Sequence, residues 1–174
     1  MNELQTRYPN EIQQILAKYP PERRASAVMP LLYLAQRQTG YVDRQSVQEI
    51  AEIIGLSTTD IDALVGFYTL YHNQPAGRYR LQVCTDLPCA LVGAEDFLQA
   101  LCTNLGIKVG ETTPDGLFTI EEVTCLAGCH RAPLFQVQGD GDISYHENQT
   151  VETATALVND LRRRAAEKEA GHGG

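Results

Sequence analysis

Four of the five cysteines stand in two close pairs, and this spacing constrains the fold more than any other feature of the 174-residue chain. Four residues separate Cys84 from Cys89, three separate Cys125 from Cys129, and thirty-five lie between the pairs. Each pair lies in a loop of small and apolar residues, so two loops can bring four thiolates to one inorganic centre. Cys102 lies alone in an apolar stripe with helical spacing, which predicts a small core residue.

The spacing of the pairs discriminates between three kinds of site. A [2Fe-2S] cluster has two irons that each take two thiolates, so one pair per iron completes the ligand set without His130. Four thiolates also suit structural zinc, although zinc ribbons commonly use C-x2-C pairs. A redox disulfide is the weaker alternative, because thioredoxin-like enzymes use C-x-x-C. The spacing therefore favours iron–sulfur and leaves a zinc-stabilised interaction module as the alternative from a different class.

The residues around the cysteines predict how such a centre is held. A cluster with four thiolates is anionic, and its burial requires backbone N–H groups and nearby cations. Ala127 and Gly128 are small enough to let the backbone approach the sulfurs, and Arg131 can add positive field. Four apolar residues are expected to exclude water: Leu87, Pro88, Leu126 and Pro133.

Charge and hydropathy exclude several classes of function. The net charge of −8 disfavours nucleic acid as a partner, because no basic stripe is available to neutralise phosphates. The longest apolar stretch, residues 27–35, is too short to span a bilayer, which predicts a cytoplasmic chain with no direct membrane insertion. Reduced thiols are the rule in that compartment. The sequence contains no acid/base dyad, phosphate loop or nucleotide fingerprint, so we expect no catalytic residues.

The first 75 residues are predicted to form a helical bundle. Apolar residues recur with helical spacing in four stripes: residues 12–19, 28–35, 47–54 and 61–65. Pro30 predicts a kink or a helix start. Ser46-x-x-Glu49 and Ser57-x-x-Asp60 resemble capping boxes. The aromatic cluster at residues 67–71 is expected to pack in the core between helices.

After residue 75, the spacing of the apolar residues changes from helical to alternating. One strand runs into Cys84, a helix spans 94–105, a second strand runs towards Cys125, and two further strands precede a final helix capped by Thr150. This order is typical of a thioredoxin-like layered domain. We therefore predict an α+β chain with three parts: a helical bundle at 1–75, a thioredoxin-like domain at 76–165 and a flexible C-terminal tail at 166–174.

Six segments carry a family resemblance that covers nearly the whole chain. They are YPPERRA (19–25), PLLYLAQ (30–36), GFYTLY (66–71), VCTDLPCAL (83–91), GETTPDGLFTIEEV (110–123) and CLAGCHRAP (125–133). Together they resemble the small [2Fe-2S] subunits of NADH dehydrogenases, the thioredoxin-like ferredoxin family found in bacterial NADH-quinone oxidoreductase, respiratory complex I. The same family supplies diaphorase subunits to NAD-linked hydrogenases and formate dehydrogenases.

The resemblance implies a specific division of labour. The helical bundle would dock to a partner, and the thioredoxin-like ferredoxin domain would hold one [2Fe-2S] cluster on Cys84, Cys89, Cys125 and Cys129. NADH and FMN would sit on a separate flavoprotein subunit, which exchanges single electrons with the cluster. The chain would thus be an oxidoreductase subunit without catalytic residues of its own, peripheral to the inner membrane through a larger respiratory complex.

Overall fold

The computed structural model describes residues 3–171 and divides into two compact units, Met1–Pro75 and Ala76–Gly174. The first unit is helical, and the second combines a four-stranded sheet with helices. The predicted α+β class is therefore confirmed. Among residues 3–171, no helix combines the length and the apolar character that a membrane span requires.

The first unit contains five α-helices within the described residues. They are α1 (Glu3–Arg7), α2 (Pro9–Leu16), α3 (Val28–Thr39), α4 (Arg44–Ile54) and α5 (Thr58–Phe67), with a 3-10 segment at Pro21–Ala27. Every helix contributes apolar side chains to one core, among them Leu4, Ile12, Leu31, Ile50 and Ile61. Pro30 is the third residue of α3, so its missing N–H falls in the first turn, where no intrahelical acceptor exists.

The two predicted capping boxes have different outcomes. At α5 the prediction is confirmed: the N–H of Asp60 donates to Ser57 Oγ at 3.2 Å. At α4 it is wrong, because the helix begins one turn earlier, and the N–H of Ser46 donates to Asp43 Oδ1 at 2.7 Å. Asp43 is therefore the N-cap of α4, and Glu49 is released for another role.

Glu49 of α4 is buried, and its carboxylate caps the N-terminus of α1. Its carboxylate accepts the backbone N–H groups of Glu3 and Leu4 at 2.8 and 2.7 Å, and also an N–H of Gln45. Burial alone would raise the pKa of Glu49, but the hydrogen bonds from Gln45, Leu4 and Glu3 hold that pKa below its ordinary value. One carboxylate thus joins α1 to α4.

The aromatic segment at residues 67–71 only partly enters the core. Tyr71 is buried, and its hydroxyl donates to the carbonyl of Met29 at 3.0 Å. Phe67 and Tyr68 are exposed, so the core prediction is wrong for both. For Phe67 the reason is helical phase, because α5 buries Val65 and a residue two positions later points about 200° away from it. Tyr68 follows the last residue of α5 with an extended backbone, so helical spacing no longer sets the direction of its side chain.

The second unit is built on a mixed sheet with strand order β2-β1-β3-β4. Its elements are β1 (Tyr79–Cys84), α6 (Leu87–Ala90), α7 (Ala94–Leu105), β2 (Phe118–Val123), β3 (Phe135–Gly139), β4 (Asp142–His146) and α8 (Val151–Gly171), with a 3-10 turn at Cys129–Arg131. β1 pairs in parallel with β2 and antiparallel with β3. The predicted order of strands and long helices matches this arrangement.

One set of alternate strand residues forms an apolar core with α7 and α8. The strands contribute Tyr79, Leu81, Val83, Phe118, Ile120, Phe135 and Val137, and the two helices contribute Phe97, Leu98, Leu101, Ala154 and Val158. Cys102 is buried in the same core, as its helical position predicts. The intervening strand positions carry polar side chains instead: Glu121 forms an ion pair with Arg80 and accepts from Gln82 Nε2 at 2.8 Å.

The final helix begins where Thr150 predicts, since the N–H of Thr153 donates to Thr150 Oγ1 at 3.3 Å. It continues to Gly171, so residues 166–171 are helical where the sequence analysis expected a flexible tail from 166. This stretch is rich in Ala, Glu and Lys, which favour helix. Residues 172–174 of that expected tail lie outside the described residues.

Asp140, in the turn between β3 and β4, links this turn to the start of β1 and to α8. Its carboxylate accepts hydrogen bonds from Arg78 Nε, the Tyr79 hydroxyl and Lys168 Nζ, each at 2.8 Å. Burial opposes ionisation, but these three donors lower the pKa of Asp140 to about 2. The carboxylate therefore stabilises the fold wherever it is ionised.

Replacing this carboxylate should give a pH-dependent loss of stability. We expect Asp140→Asn to lower the free energy of unfolding at pH 7 by about 1 kcal/mol, since solvent screens these partly exposed charges. The folded pKa lies below the ordinary value of 3.8. The difference in free energy of unfolding between the wild type and Asp140→Asn should therefore be complete above about pH 4. It should shrink as pH falls towards about 2.

Denaturant unfolding of the two proteins at several pH values measures this difference. Tyr79→Phe, which removes only one of the three donors, should show a smaller loss with the same pH trend. A difference between wild type and Asp140→Asn that stays constant from pH 7 to pH 2 would contradict the role of the ionised carboxylate.

Candidate metal centre

The parallel pairing of β1 with β2 places both cysteine segments at one edge of the sheet. Cys84, the last residue of β1, lies opposite Val123, the last residue of β2. The N–H of Thr85 donates to the carbonyl of Val123 at 3.3 Å, so the two chain segments leave the sheet side by side. One pocket of about 380 Å³ is lined from both segments, by Thr85, Asp86, Leu87, Glu122, Val123 and Thr124.

The first cysteine loop folds into the short helix α6. Asp86 caps it, with its side chain accepting the N–H of Leu87 at 3.0 Å and its carbonyl accepting the N–H of Cys89 at 2.8 Å. Cys89 is fully buried, as is Cys84. Leu87 and Leu91, two residues to either side of Cys89, are exposed because a helix turns such neighbours to its opposite face.

The second cysteine loop turns its backbone towards a sulfur atom. Ala127 adopts a left-handed φ of 57°, and its N–H donates to Cys125 Sγ at 3.4 Å. The prediction that Ala127 lets the backbone approach a sulfur is thereby supported. Gly128 instead allows close packing of Leu134, because a Cβ at this position would lie 2.5 Å from Cδ1 of Leu134. Cys125 and Cys129 are both exposed, in contrast to the buried first pair.

The pKa of Cys89 shows that the four thiols influence one another. Burial raises the pKa of Cys89 first, and a hydrogen bond with Cys84 adds to it. The negative charges of Cys84, Cys129 and Cys125 raise it further, to about 12. The Cys84 thiol in turn donates to the carbonyl of Thr124 at 3.5 Å. Without a compensating cation, the Cys89 thiol therefore holds its proton.

The candidate donor set consists of four thiols in two pairs. Among residues 3–171, no three His, Cys, Asp or Glu side chains are already arranged to hold a metal ion. A two-iron cluster takes its thiolates as two pairs. The buried pair, Cys84 and Cys89, lies in an apolar cluster with Ala94 and Leu134, against which Leu126 and Ala132 pack, and the second pair is exposed. The residues present therefore fit a [2Fe-2S] group in type and number.

Two expectations about the surroundings of the site are corrected. Leu87 and Pro88 do not exclude water from Cys89, since both residues are exposed. Arg131 forms an ion pair with Glu147 at 3.3 Å, which offsets the positive field it would otherwise add. Leu126 packs against the apolar cluster that contains Cys84 and Cys89, as expected of a residue that excludes water. His130 is exposed in the 3-10 turn that follows Cys129.

Two residues that the sequence analysis did not single out contribute to the site. Leu134 is fully buried beside Cys84 and Cys89, and the carbonyl of Thr124 accepts the Cys84 thiol. The sequence signals Leu134 only as an apolar residue at a strand start. Its proximity to the cysteines depends on the antiparallel pairing of β3 with β1, which spacing along the chain does not reveal.

Comparison with known proteins agrees with this geometry. The family described as "Thioredoxin-like [2Fe-2S] ferredoxin" matches residues 12–162. NADH-quinone oxidoreductase subunit 2 of Thermus thermophilus is 42% identical over 87% of this chain and 82% of its own length. A subunit of the NADH-quinone oxidoreductase of Rhizobium meliloti is also 42% identical, over 91% of this chain and 89% of its own.

Two further comparisons extend the range of similar proteins. A mitochondrial NADH dehydrogenase [ubiquinone] flavoprotein 2 from Dictyostelium discoideum is 37% identical over 87% of this chain and 60% of its own length. The crystal structure of an NAD+-reducing [NiFe]-hydrogenase matches 77% of this chain with a TM-score of 0.63 and 19% identity, and the match spans only 23% of the hydrogenase chain. That likeness concerns the fold alone.

The match over residues 12–162 and the identity to two bacterial subunits agree with the two cysteine loops at one sheet edge. The chain therefore belongs to the family of thioredoxin-like [2Fe-2S] ferredoxins that includes these small subunits of NADH-quinone oxidoreductases.

Proposed function

We propose that this chain is an electron-transfer subunit of an NADH dehydrogenase assembly. It holds one [2Fe-2S] cluster on Cys84, Cys89, Cys125 and Cys129 and exchanges single electrons with FMN on a partner flavoprotein subunit. The observation that carries the proposal is the parallel pairing of β1 with β2, which brings both cysteine loops to one sheet edge in a chain of this family. When bound, the cluster supplies one-electron storage, which splits the two electrons of a hydride.

The chain's own residues have three tasks at this site. The cysteines supply four thiolates, and their deprotonation must accompany metal binding, because burial and neighbouring thiols raise the pKa of Cys89. The N–H of Ala127 stabilises negative charge on Cys125 Sγ. Leu134 and Ala94 exclude water from the buried pair.

The surface around the cysteines supports electron exchange with another protein. Cys125 and Cys129 are exposed, so that side of the site is open to a partner. Leu87, Leu91 and Val92 form an exposed apolar surface on the neighbouring loop. Apolar groups beside a redox centre favour close approach of a partner, because their contact expels water.

The names of the relatives support one identity for the assembly. The bacterial relatives are named as subunits of NADH-quinone oxidoreductases, which supports a larger respiratory complex and a place at the periphery of the inner membrane. The equivalent diaphorase role in a hydrogenase or formate dehydrogenase is the alternative. A zinc-stabilised module on the same four cysteines is a further alternative, and the colour of the purified protein separates it at once from an iron–sulfur protein.

Ligand identity is tested by single substitutions. Replacing Cys84, Cys89, Cys125 or Cys129 singly by Ala should abolish or severely deplete the cluster, because one of the two irons then lacks a thiolate. Cys102→Ala should keep it at a cost of about 1 kcal/mol in folding stability. Iron and acid-labile sulfide content and the visible absorption spectrum are the measurements. Full iron and sulfide in any of the four variants would disprove the proposed ligand set.

Packing beside the cysteines is tested at Gly128. An added Cβ would lie 2.5 Å from Leu134 Cδ1, so we expect Gly128→Ala to displace Leu134 from the buried pair and reduce cluster content. Overpacking of this kind costs about 1–3 kcal/mol. Adding Leu134→Val, which removes the δ-methyl groups, should restore part of the loss.

Gly66→Ala serves as the matched control for this substitution. Nothing lies within 4 Å of a Cβ at Gly66, and its φ is not positive, so the variant should keep its full cluster. If Gly128→Ala retains as much cluster as Gly66→Ala, the contact with Leu134 does not matter for the site.

The division of labour between subunits is tested by reduction kinetics. The purified chain with its cluster should not be reduced by NADH alone, because the nicotinamide and flavin sites are proposed to lie on the partner. Addition of the FMN-loaded flavoprotein should permit reduction, followed as bleaching of the visible spectrum. Bleaching by NADH without the flavoprotein would show that this chain binds and oxidises NADH itself.

A further inference from the structure

The side chains of Thr85 and Glu122 connect the two strand ends that lead into the cysteine loops. Thr85 directly follows Cys84, and its hydroxyl donates to Oε1 of Glu122 at 2.5 Å. In the pairing of β1 with β2, Glu122 lies one position before the residue opposite Cys84. The carboxylate is therefore one hydrogen bond and one residue away from Cys84, and along the chain it precedes Cys125 by three residues.

The charges on this side of the site are negative. The pocket between the two segments is lined by the carboxylates of Asp86 and Glu122 and by no basic residue. Arg131, the arginine of the second cysteine loop, forms an ion pair with Glu147, which offsets its charge. The thiols therefore lie in a negative field, to which Glu122 contributes from a position fixed by the Thr85 hydroxyl.

A negative field acts directly on the reduction of an iron–sulfur centre. One electron from the reduced flavin converts one ferric iron to ferrous, breaks no bond, and adds a negative charge to a centre that is already anionic. A nearby carboxylate raises the free energy of the reduced state more than that of the oxidised state. Glu122 is exposed, so a dielectric near that of water applies. A unit charge about 8 Å away then changes the equilibrium constant for reduction by about threefold.

We infer that Glu122 lowers the reduction potential of the cluster and that Thr85 holds its carboxylate in the position from which it does so. The inference rests on the proposed function, which supplies the cluster and the electron, and adds a residue that regulates the transfer. Glu122 acts through its charge and touches no reacting atom. A lower potential makes the site a weaker electron acceptor, so a smaller fraction of it is reduced at a given potential of the flavin.

The experiment measures the midpoint potential of the full-length protein with its cluster, by optical titration with redox mediators at neutral pH and physiological ionic strength. Glu122→Gln keeps an acceptor for the Thr85 hydroxyl but removes the charge. We expect it to raise the equilibrium constant for reduction by about threefold, which is about 30 mV for a one-electron couple. Thr85→Val keeps the charge but frees the carboxylate, so it should raise the constant less. Thr85→Ser keeps the hydrogen bond and should have the wild-type potential.

Asp142→Asn is the matched control, because it also exchanges a carboxylate for an amide on this sheet. Asp142 lies in register with Gly139, and Gly139 with Tyr79, which is five residues before Cys84 on β1. Five residues of strand span about 17 Å, which is about two Debye lengths at physiological salt. The control should therefore keep the wild-type potential, and a higher salt concentration should reduce the effect of Glu122→Gln.

The possible outcomes separate this inference from the proposed function. A Glu122→Gln protein that carries the cluster at the wild-type potential overturns the inference and leaves the proposed function standing. A shift in Thr85→Val without a shift in Glu122→Gln assigns the pair a role in geometry alone and also overturns it. Loss of the cluster from Glu122→Gln would show that the carboxylate is needed to assemble the site, which overturns it as well. A wild-type chain that carries no cluster overturns the proposed function and this inference together.

Discussion

The candidate site depends on the parallel register of β1 and β2. Two six-residue strands that run in the same direction end at the same edge, which brings the loop after Cys84 beside the loop that carries Cys125. An antiparallel pairing would separate these loops by the length of a strand, about 20 Å, which no cluster can bridge. Parallel pairing requires a crossover, here α6 and α7, so the packing of α7 on the sheet is also a condition of the site.

The site balances two opposing demands. The first pair of thiols is buried against Leu134 and Ala94, which protects a centre from water but raises the free energy of any thiolate. The raised pKa of Cys89 reflects this higher free energy of the thiolate. The second loop offsets part of it with the N–H of Ala127, made available by a left-handed backbone. Binding of a metal by these thiols would therefore be linked to the release of protons.

The sequence predicts those features that depend on local period and spacing. The helix at 94–105, the strand into Cys84 and the Ser57 cap all coincide with the structure. The failures have different causes. Asp43, three residues before Ser46, caps α4, and Glu49 is engaged with the first helix instead of with its own helix terminus. The four-residue helix α6 is too short to show a period, and it turns Leu87 outwards. The contact of Gly128 with Leu134 depends on strand pairing and leaves no local signal.

Each unit carries an apolar core that shares no residue with the other, and this separation has a functional consequence. The positions of the thiols depend on the sheet, α6 and α7, whereas the helical unit is held by its own core and by the hydrogen bonds of Glu49 and Gln36. A substitution in the core of the helical unit should therefore leave the packing around the sulfurs intact.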